Sequence, residues 1–318
     1  MLSADAGGIA RAVALLGAGG LVAVPTETVY GLAADATDAA AVARIFAAKG
    51  RPRFNPLIVH LPDLDAVRAI AEMPEAAEAL AGAFWPGPMT LVLPIRAAAR
   101  LAAPVTAGLP SVAVRLPAHP VMREVLRALG RPLAAPSANP SGRISATTAA
   151  HVKDGLGARV DAILDAGPCA LGLESTILAP GAGGLRLLRE GGLSREAVEA
   201  VAGPLTSDVT PGRSGHVEAP GQMERHYAPS VPLRLGGALR AGEVTLGFGP
   251  GAADLNLSPG GDLGEAASRL FAVLHEADAL ARARGAAAIR VAEVPDTGLG
   301  RGINDRLRRA AAPATDQA

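Results

Sequence analysis

The stretch Lys49-Gly-Arg-Pro-Arg-Phe-Asn-Pro-Leu-Ile-Val-His60 restricts the fold more than any other part of the chain. Gly50, Pro52 and Pro56 rule out a long helix, because proline lacks an amide donor and clashes with the preceding turn. The apolar run Leu57-Ile-Val59 then reads as a buried strand, which anchors a constrained loop on a sheet. Arg44, Lys49, Arg51 and Arg53 fall within ten positions, and no Asp or Glu occurs from Ala39 through Pro62. Nothing nearby neutralises this patch, so it attracts anions. Of 30 Lys and Arg only Lys49 and Lys153 are lysine, which hints that a compact point charge is wanted at Lys49. Two readings stay open at this point: a phosphate cradle at a sheet edge, or a solvated basic loop.

The rest of the composition narrows the class. A chain of 318 residues suggests two domains and a substantial core. The formal net charge is zero, so no global field steers the protein to nucleic acid or membrane, and any RNA contact has to use local patches. One cysteine, Cys169, and six histidines exclude a disulfide framework and a cysteine-rich metal site, and fit a reducing cytoplasm. Long apolar runs are broken by Pro, Gly or charge, as in Phe84-Trp-Pro-Gly-Pro-Met-Thr-Leu-Val-Leu-Pro94, so no membrane span is expected. The N-terminal apolar segment is interrupted by Arg11 and does not read as a signal peptide.

Along the chain, Ile9 to Leu16 has helical spacing and Leu21 to Val24 reads as a strand. Pro25-Thr-Glu-Thr-Val-Tyr-Gly31 follows it, with several polar groups just past a strand end, where open α/β sheets bind ligands. A strand-to-helix turn capped by Thr26 or Thr28 is the plainer reading; a cap uses one such residue, and the surplus favours a site. Helices are expected over 39–48, 64–71, 75–83 and 119–129. Strands are expected over 90–94, 111–116, 161–165, 174–178 and 185–188, with a short one at Pro132 leading into Ala135-Pro-Ser-Ala-Asn139. Arg115 shares a strand face with Ser111 and Ala113. It needs either a carboxylate or phosphate ligand, or an internal salt bridge to Glu27 or Glu174. Residues 204–230 read as a linker that nevertheless holds Pro220-Gly-Gln-Met-Glu-Arg-His-Tyr-Ala-Pro229. A small α/β domain is expected over 231–318, after a first domain over 1–203. Its Gly247-Phe-Gly-Pro-Gly251 resembles a nucleotide loop only weakly.

Six blocks occur together and in order: Pro25 to Leu32, the basic loop through His60, Trp85-Pro-Gly-Pro-Met-Thr90, Ser111-Val-Ala-Val-Arg115, Ala135 to Asn139 and Glu174-Ser-Thr-Ile177. This set resembles the YrdC-type L-threonylcarbamoyladenylate synthase family, and Pro220-Gly-Gln-Met with His226-Tyr-Ala-Pro229 resembles its two-domain form. The resemblance implies an α/β fold: an N-terminal twisted open sheet with a concave basic cavity, plus a smaller Rossmann-like α/β C-terminal domain. It implies condensation of L-threonine, bicarbonate and ATP to threonylcarbamoyl-AMP and pyrophosphate, with Mg²⁺ bridging the triphosphate. A downstream complex then transfers the group to tRNA. By motif match, Lys49 and Arg51 are the expected catalytic cations. Arg51, Asn55, Ser111, Ser137, Ser145, Arg189, His226 and Tyr227 are expected at ATP, and Thr28, His60, Arg115, Ala135 and Ser175 at L-threonine. No residue is expected to bind a metal directly. The segment 220–229 is expected to cross the cavity mouth as a gate. The rival reading is a non-catalytic module for double-stranded RNA or tRNA; zero net charge and only eight aromatics of the Phe, Trp and Tyr kind argue against it.

Overall fold

The apolar runs punctuated by Pro and Gly become short strands, and the Ala-rich stretches between them become helices. The computed structural model describes residues 1–181, 183–207 and 218–313. The order is β1 (Leu2–Ser3), α1 (Ala6–Gly17), β2 (Val22–Val24), β3 (Gly31–Asp35), α2 (Ala39–Lys49), β4 (Ile58–His60), α3 (Leu64–Ile70), α4 (Glu75–Phe84) and β5 (Met89–Pro94). There follow α5 (Ala103–Thr106), β6 (Ser111–Arg115), α6 (Pro120–Leu129), β7 (Leu133–Ala134), α7 (Ala149–Leu156), β8 (Ala162–Asp165), β9 (Thr176–Gly181), β10 (Gly184–Arg189), α8 (Arg195–Ala202) and β11 (Thr206–Ser207). The second half holds β12 (Leu233–Leu235), β13 (Glu243–Gly247), β14 (Leu255–Asn256), α9 (Leu263–Arg284), β15 (Ala288–Val291) and α10 (Leu299–Ala311).

The first eleven strands make one mixed sheet in the order β1-β8-β2-β3-β7-β4-β6-β5-β9-β10-β11. Three registers matter for function. Parallel pairing of β4 with β6 sets His60 beside Arg115. Antiparallel pairing of β9 with β10 sets Arg189 opposite Ile177, two residues from Ser175. Antiparallel pairing of β2 with β3 sets Val24 opposite Gly31, so Pro25 to Tyr30 is a strand-to-strand connection, which removes the alternative reading as a strand-to-helix turn. β3 itself, Gly-Leu-Ala-Ala-Asp, has no β-branched residue; pairing on both sides makes it a strand. Within the expected linker, Thr206 and Ser207 pair with β10 as an added edge strand, and positions 208–217 lie outside the described residues.

The second sheet is all parallel, in the order β12-β15-β13-β14, with α9 crossing from β14 to β15. The weak nucleotide-loop look-alike after β13 is closed by its own chain: Asn256 donates to the Gly249 carbonyl at 3.0 Å. The core of this unit also takes in Val29, Ile144 and Leu173 from the first sheet's connections and Tyr227 from the segment between the two sheets. Close approach at Gly172 fixes the docking. Its φ is +63°, and a Cβ there would stand 2.2 Å from the Ser268 carbonyl oxygen of α9. Among the described residues no helix is long and apolar enough to cross a membrane.

Gly172→Ala is expected to destabilise the protein by about 2–4 kcal/mol, from overpacking plus the left-handed backbone. Urea unfolding measures this, and an unchanged midpoint would show that α9 is not seated on Gly172.

Candidate active site

The connection after β2 is built by Thr26. Its Oγ1 accepts from the amides of Thr28 (3.1 Å) and Val29 (3.2 Å) and donates to the Val29 carbonyl (2.6 Å). Because that hydroxyl has one proton, the 2.8 Å contact between Thr26 and Thr28 is donated by Thr28. Thr28 Oγ1 is then free to accept from Arg115 Nη1 at 3.0 Å. Arg115 also pairs with Glu27 at 2.6 Å, so the internal salt bridge forms, with Glu27 and not Glu174 as partner. Burial by itself would raise the Glu27 carboxyl; the Arg115 charge and hydrogen bond hold it below the usual carboxylate range. With Nε on the Gly87 carbonyl, three of the five donors of Arg115 are used and two are left for a ligand. His60, beside it, is pushed down to about 3 by burial and by the Arg115 charge. It is therefore a neutral imidazole, and its buried Nδ1 has no partner.

The other cations are held by backbone carbonyls. Lys49, the last residue of α2, donates to the carbonyls of Ser137 and Asn139. Arg51 reaches the carbonyls of Asn55 and Pro56 and the Asn55 side chain (2.6 Å). Arg189 grips the Ser175 carbonyl (2.9 Å) and hydroxyl (3.1 Å) and the Pro220 carbonyl (3.3 Å). All three are buried, and burial is the main cause that lowers each of them, with neighbouring arginines adding to it. Lys49 falls well below the ordinary lysine range, with Arg51 and Arg159 contributing. Arg51 falls to about 9 and Arg189 to about 10. Carbonyl oxygens satisfy hydrogen bonds and leave net charge uncompensated, so an anion entering here is strongly favoured.

The segment 218–229 lies over these groups. Ala219 packs on an apolar sheet face of Ile58, Val92, Ala113, Ile177, Ala179 and Leu188. Gly221 (φ +87°) leaves no room for a side chain, since a Cβ would sit 2.9 Å from Arg189 Cδ. Tyr227 is buried in the left-handed region at φ +63°, which a bulky residue adopts only when its surroundings impose it. Its ring stacks on Phe271 (5.5 Å), and His226 meets it edge-on (4.0 Å). His226 is kept neutral by burial and by the surrounding Lys49, Arg51, Arg189 and Arg309, and its Nδ1 is also buried without a partner. The segment leaves only a small cavity beneath it, lined by Arg51, Arg115, Arg189 and His226 among others, with room for a few waters and not for a nucleoside triphosphate.

Of the residues expected at the site, Thr28, Arg51, His60, Arg115, Ala135, Ser137, Ser175, Arg189, His226 and Tyr227 line this one cavity. Four do not. Lys49 stands behind the Ser137 loop, and Asn55 stands behind Arg51. Ser111 is at the far end of β6 from Arg115. Ser145 donates its proton to Glu174 Oε1 (2.6 Å), which leaves its oxygen able only to accept. One contributor was not foreseen, and another has a different partner from the one expected. Glu174 lines the cavity, and Arg306 of α10 pairs with it at 3.0 Å. Nothing in Asn304-Asp-Arg-Leu-Arg-Arg309 separates an arginine that turns inward from a solvated helix face. Among the described residues no group of three His, Cys, Asp or Glu could hold a metal. The nearby carboxylates Glu27 and Glu174 are committed to arginines, so the donor set does not fit a protein-bound metal.

Comparison with known proteins places this geometry. Residues 14–191 match the Sua5/YciO/YrdC family, described as telomere recombination, and residues 193–312 match the threonylcarbamoyl-AMP synthase C-terminal domain. The chain is 43% identical over 231 residues to the threonylcarbamoyl-AMP synthase of Bacillus subtilis (strain 168), covering 71% of this chain and 66% of that protein. It is 42% identical over 220 residues to the threonylcarbamoyl-AMP synthase of Pyrococcus abyssi, covering 68% of this chain and 64% of that protein. The matched stretch is thus just under two thirds of each relative's length. The solved structure of P. abyssi Sua5 complexed with L-threonine is similar at a TM-score of 0.89 and 38% identity, over 96% of this chain and 95% of that one.

The neutral, buried His60 predicts a pH dependence. Its folded value of about 3 lies below the ordinary 6.5, so the unfolded chain binds the proton first and stability falls as pH drops below 6.5. Between pH 6.5 and 5, wild type is expected to lose roughly 1–2 kcal/mol more than His60→Gln. Urea titrations of both proteins across that range measure it, and parallel curves would contradict the assignment.

Proposed function

The chain belongs to the Sua5/YciO/YrdC family, and from that footing we propose that it is an L-threonylcarbamoyladenylate synthase. In this reading the threonine amine takes up carbon dioxide from bicarbonate to give a carbamate. A carbamate oxygen then attacks the α-phosphate of ATP, forming threonylcarbamoyl-AMP as pyrophosphate leaves. Both reactants are anionic, so repulsion and positioning make the barrier. The observation that carries the reading is the adjacency of two unlike half-sites in one cavity. One half is a paired Arg115 with Thr28 and a neutral His60, fitted to a carboxylate, an ammonium-derived group and a hydroxyl. Ala135 and Ser175 complete this amino-acid half. The other half is Arg51 and Arg189 with Lys49 behind them, carrying uncompensated charge suited to a triphosphate.

On this account Lys49 and Arg51 neutralise charge as the α-phosphate is attacked. Ser137, Arg189, His226 and Tyr227 hold the nucleotide from the cavity wall, while Asn55 acts through Arg51 and Ser145 through Glu174. Mg²⁺ enters with the triphosphate as part of the substrate. ATP needs the segment 218–229 to lift, and its return shields a labile acyl phosphate from water. Residues 1–203 form the catalytic unit, 220–229 within the 204–230 linker the gate, and 231–318 its support. The product passes, in the cytoplasm, to a complex that transfers the threonylcarbamoyl group to tRNA. The rival reading as a duplex-RNA module is disfavoured by position: Lys49, Arg51, Arg115 and Arg189 are all buried, out of reach of a phosphate backbone.

Pyrophosphate release from ATP is the test, with and without L-threonine and bicarbonate, in wild type and Lys49→Ala. Release is expected to need both co-substrates and to fall by about 10²–10³ in the variant. Release that ignores threonine would point to another acceptor and sink the assignment.

A further inference from the structure

Arg306 is fully buried and comes from the second domain, yet its fork reaches into the first. Nε donates to Glu174 Oε2 at 3.0 Å, and Nη1 donates to the Glu190 carbonyl at 2.6 Å and to its neighbour Asp305 at 3.0 Å. Nη2 is buried without a partner. The guanidinium carbon stands 5.4 Å from the centroid of the Tyr227 ring. One rigid plane therefore touches the carboxylate that lines the cavity and the ring that closes it. Through Glu174 it also reaches Ser145, whose hydroxyl is oriented by the other carboxylate oxygen. Burying such an ion pair is a poor route to stability, since apolar replacements usually serve as well. Its geometry, a fork shared between a cavity wall and a lid, is what an apolar side chain would not reproduce.

We propose that Arg306 is a positioning residue for the nucleotide half of the site: it fixes Glu174, and with it Ser145, while backing Tyr227 in the closed segment. The second domain is then a working part of the active site. This inference rests on the synthase reading for its choice of ligand. The threonine half makes no contact with Arg306, so the two substrates respond differently to its loss.

The experiment uses the full chain. ATP and L-threonine affinities are measured by calorimetry, and KM by pyrophosphate release, in wild type, Arg306→Lys, Glu174→Gln and the doubly neutral Arg306→Met with Glu174→Gln. Lysine keeps the charge and loses the fork, so Arg306→Lys is expected to raise Kd and KM for ATP about tenfold, while the threonine values move less than about twofold. The doubly neutral protein, which leaves no unpaired buried charge, is expected to bind ATP more weakly than Glu174→Gln alone. If it binds ATP as well as Glu174→Gln does, Arg306 only neutralises Glu174 and the proposal is overturned. Equal weakening of both ligands in step with a lowered Tm would overturn it too, as the mark of a merely structural pair. Wild type that binds both ligands without releasing pyrophosphate would remove the synthase reading while the ATP affinities still decide the role of Arg306. Wild type that does not bind ATP would end both.

Discussion

Buried positive charge sets the terms for this structure. Lys49, Arg51 and Arg189 lie under the segment 218–229 and are satisfied chiefly by backbone carbonyls. A buried ammonium or guanidinium without hydrogen bonds is untenable, so the surrounding loops have to turn their carbonyl oxygens inward. The loops that do so run Asn55-Pro56, Ser137-Ala-Asn139 and Pro220, where proline limits the alternatives. Each cation thereby shapes the loop that holds it. What the carbonyls do not supply is net negative charge, and that deficit is the site's chemical preference. A phosphate can replace a carbonyl at the same nitrogen and cancel the charge as well.

Arg115 shows the opposite solution within a few residues. Its charge is cancelled by Glu27, and its remaining donors are available without a strong demand for an anion. The pocket thus contains one neutralised and one uncompensated cationic region on a common sheet. That division follows from the registers. β4 and β6 bring His60 to Arg115, whereas β9 and β10 bring Arg189 to Ser175 two strands away.

The crossing segment depends on the second domain to stay where it is. Tyr227 is held in the left-handed region by Phe271 of α9 and by Arg306 of α10, and the His226 amide bonds the Arg309 carbonyl at 3.2 Å. The segment is thus held near one end by ring contacts and backbone hydrogen bonds, with Gly221 in the left-handed region near the other. The close approach at Gly172 and the shared core around Leu173 join that support to the connections of the first sheet.

Local chemistry was legible in the sequence. Pro and Gly breaks marked the ends of α2 and β4, and period-two alternation marked β6. The motif blocks named the cavity-lining residues Thr28, Arg51, His60, Arg115 and Ser175, because those positions are stated by short contiguous strings. Tertiary structure alone decided the rest. β3 is a strand only because β2 and β7 flank it, and Pro25 to Tyr30 became a strand connection for the same reason. The choice of Glu27 over Glu174 for Arg115 depended on which loop folds back over β6. The inward turn of Arg306 depended on where α10 docks, a contact spanning 132 residues of sequence. Spacing along a chain determines which side chains share a face; it carries no information about which distant face will be pressed against it.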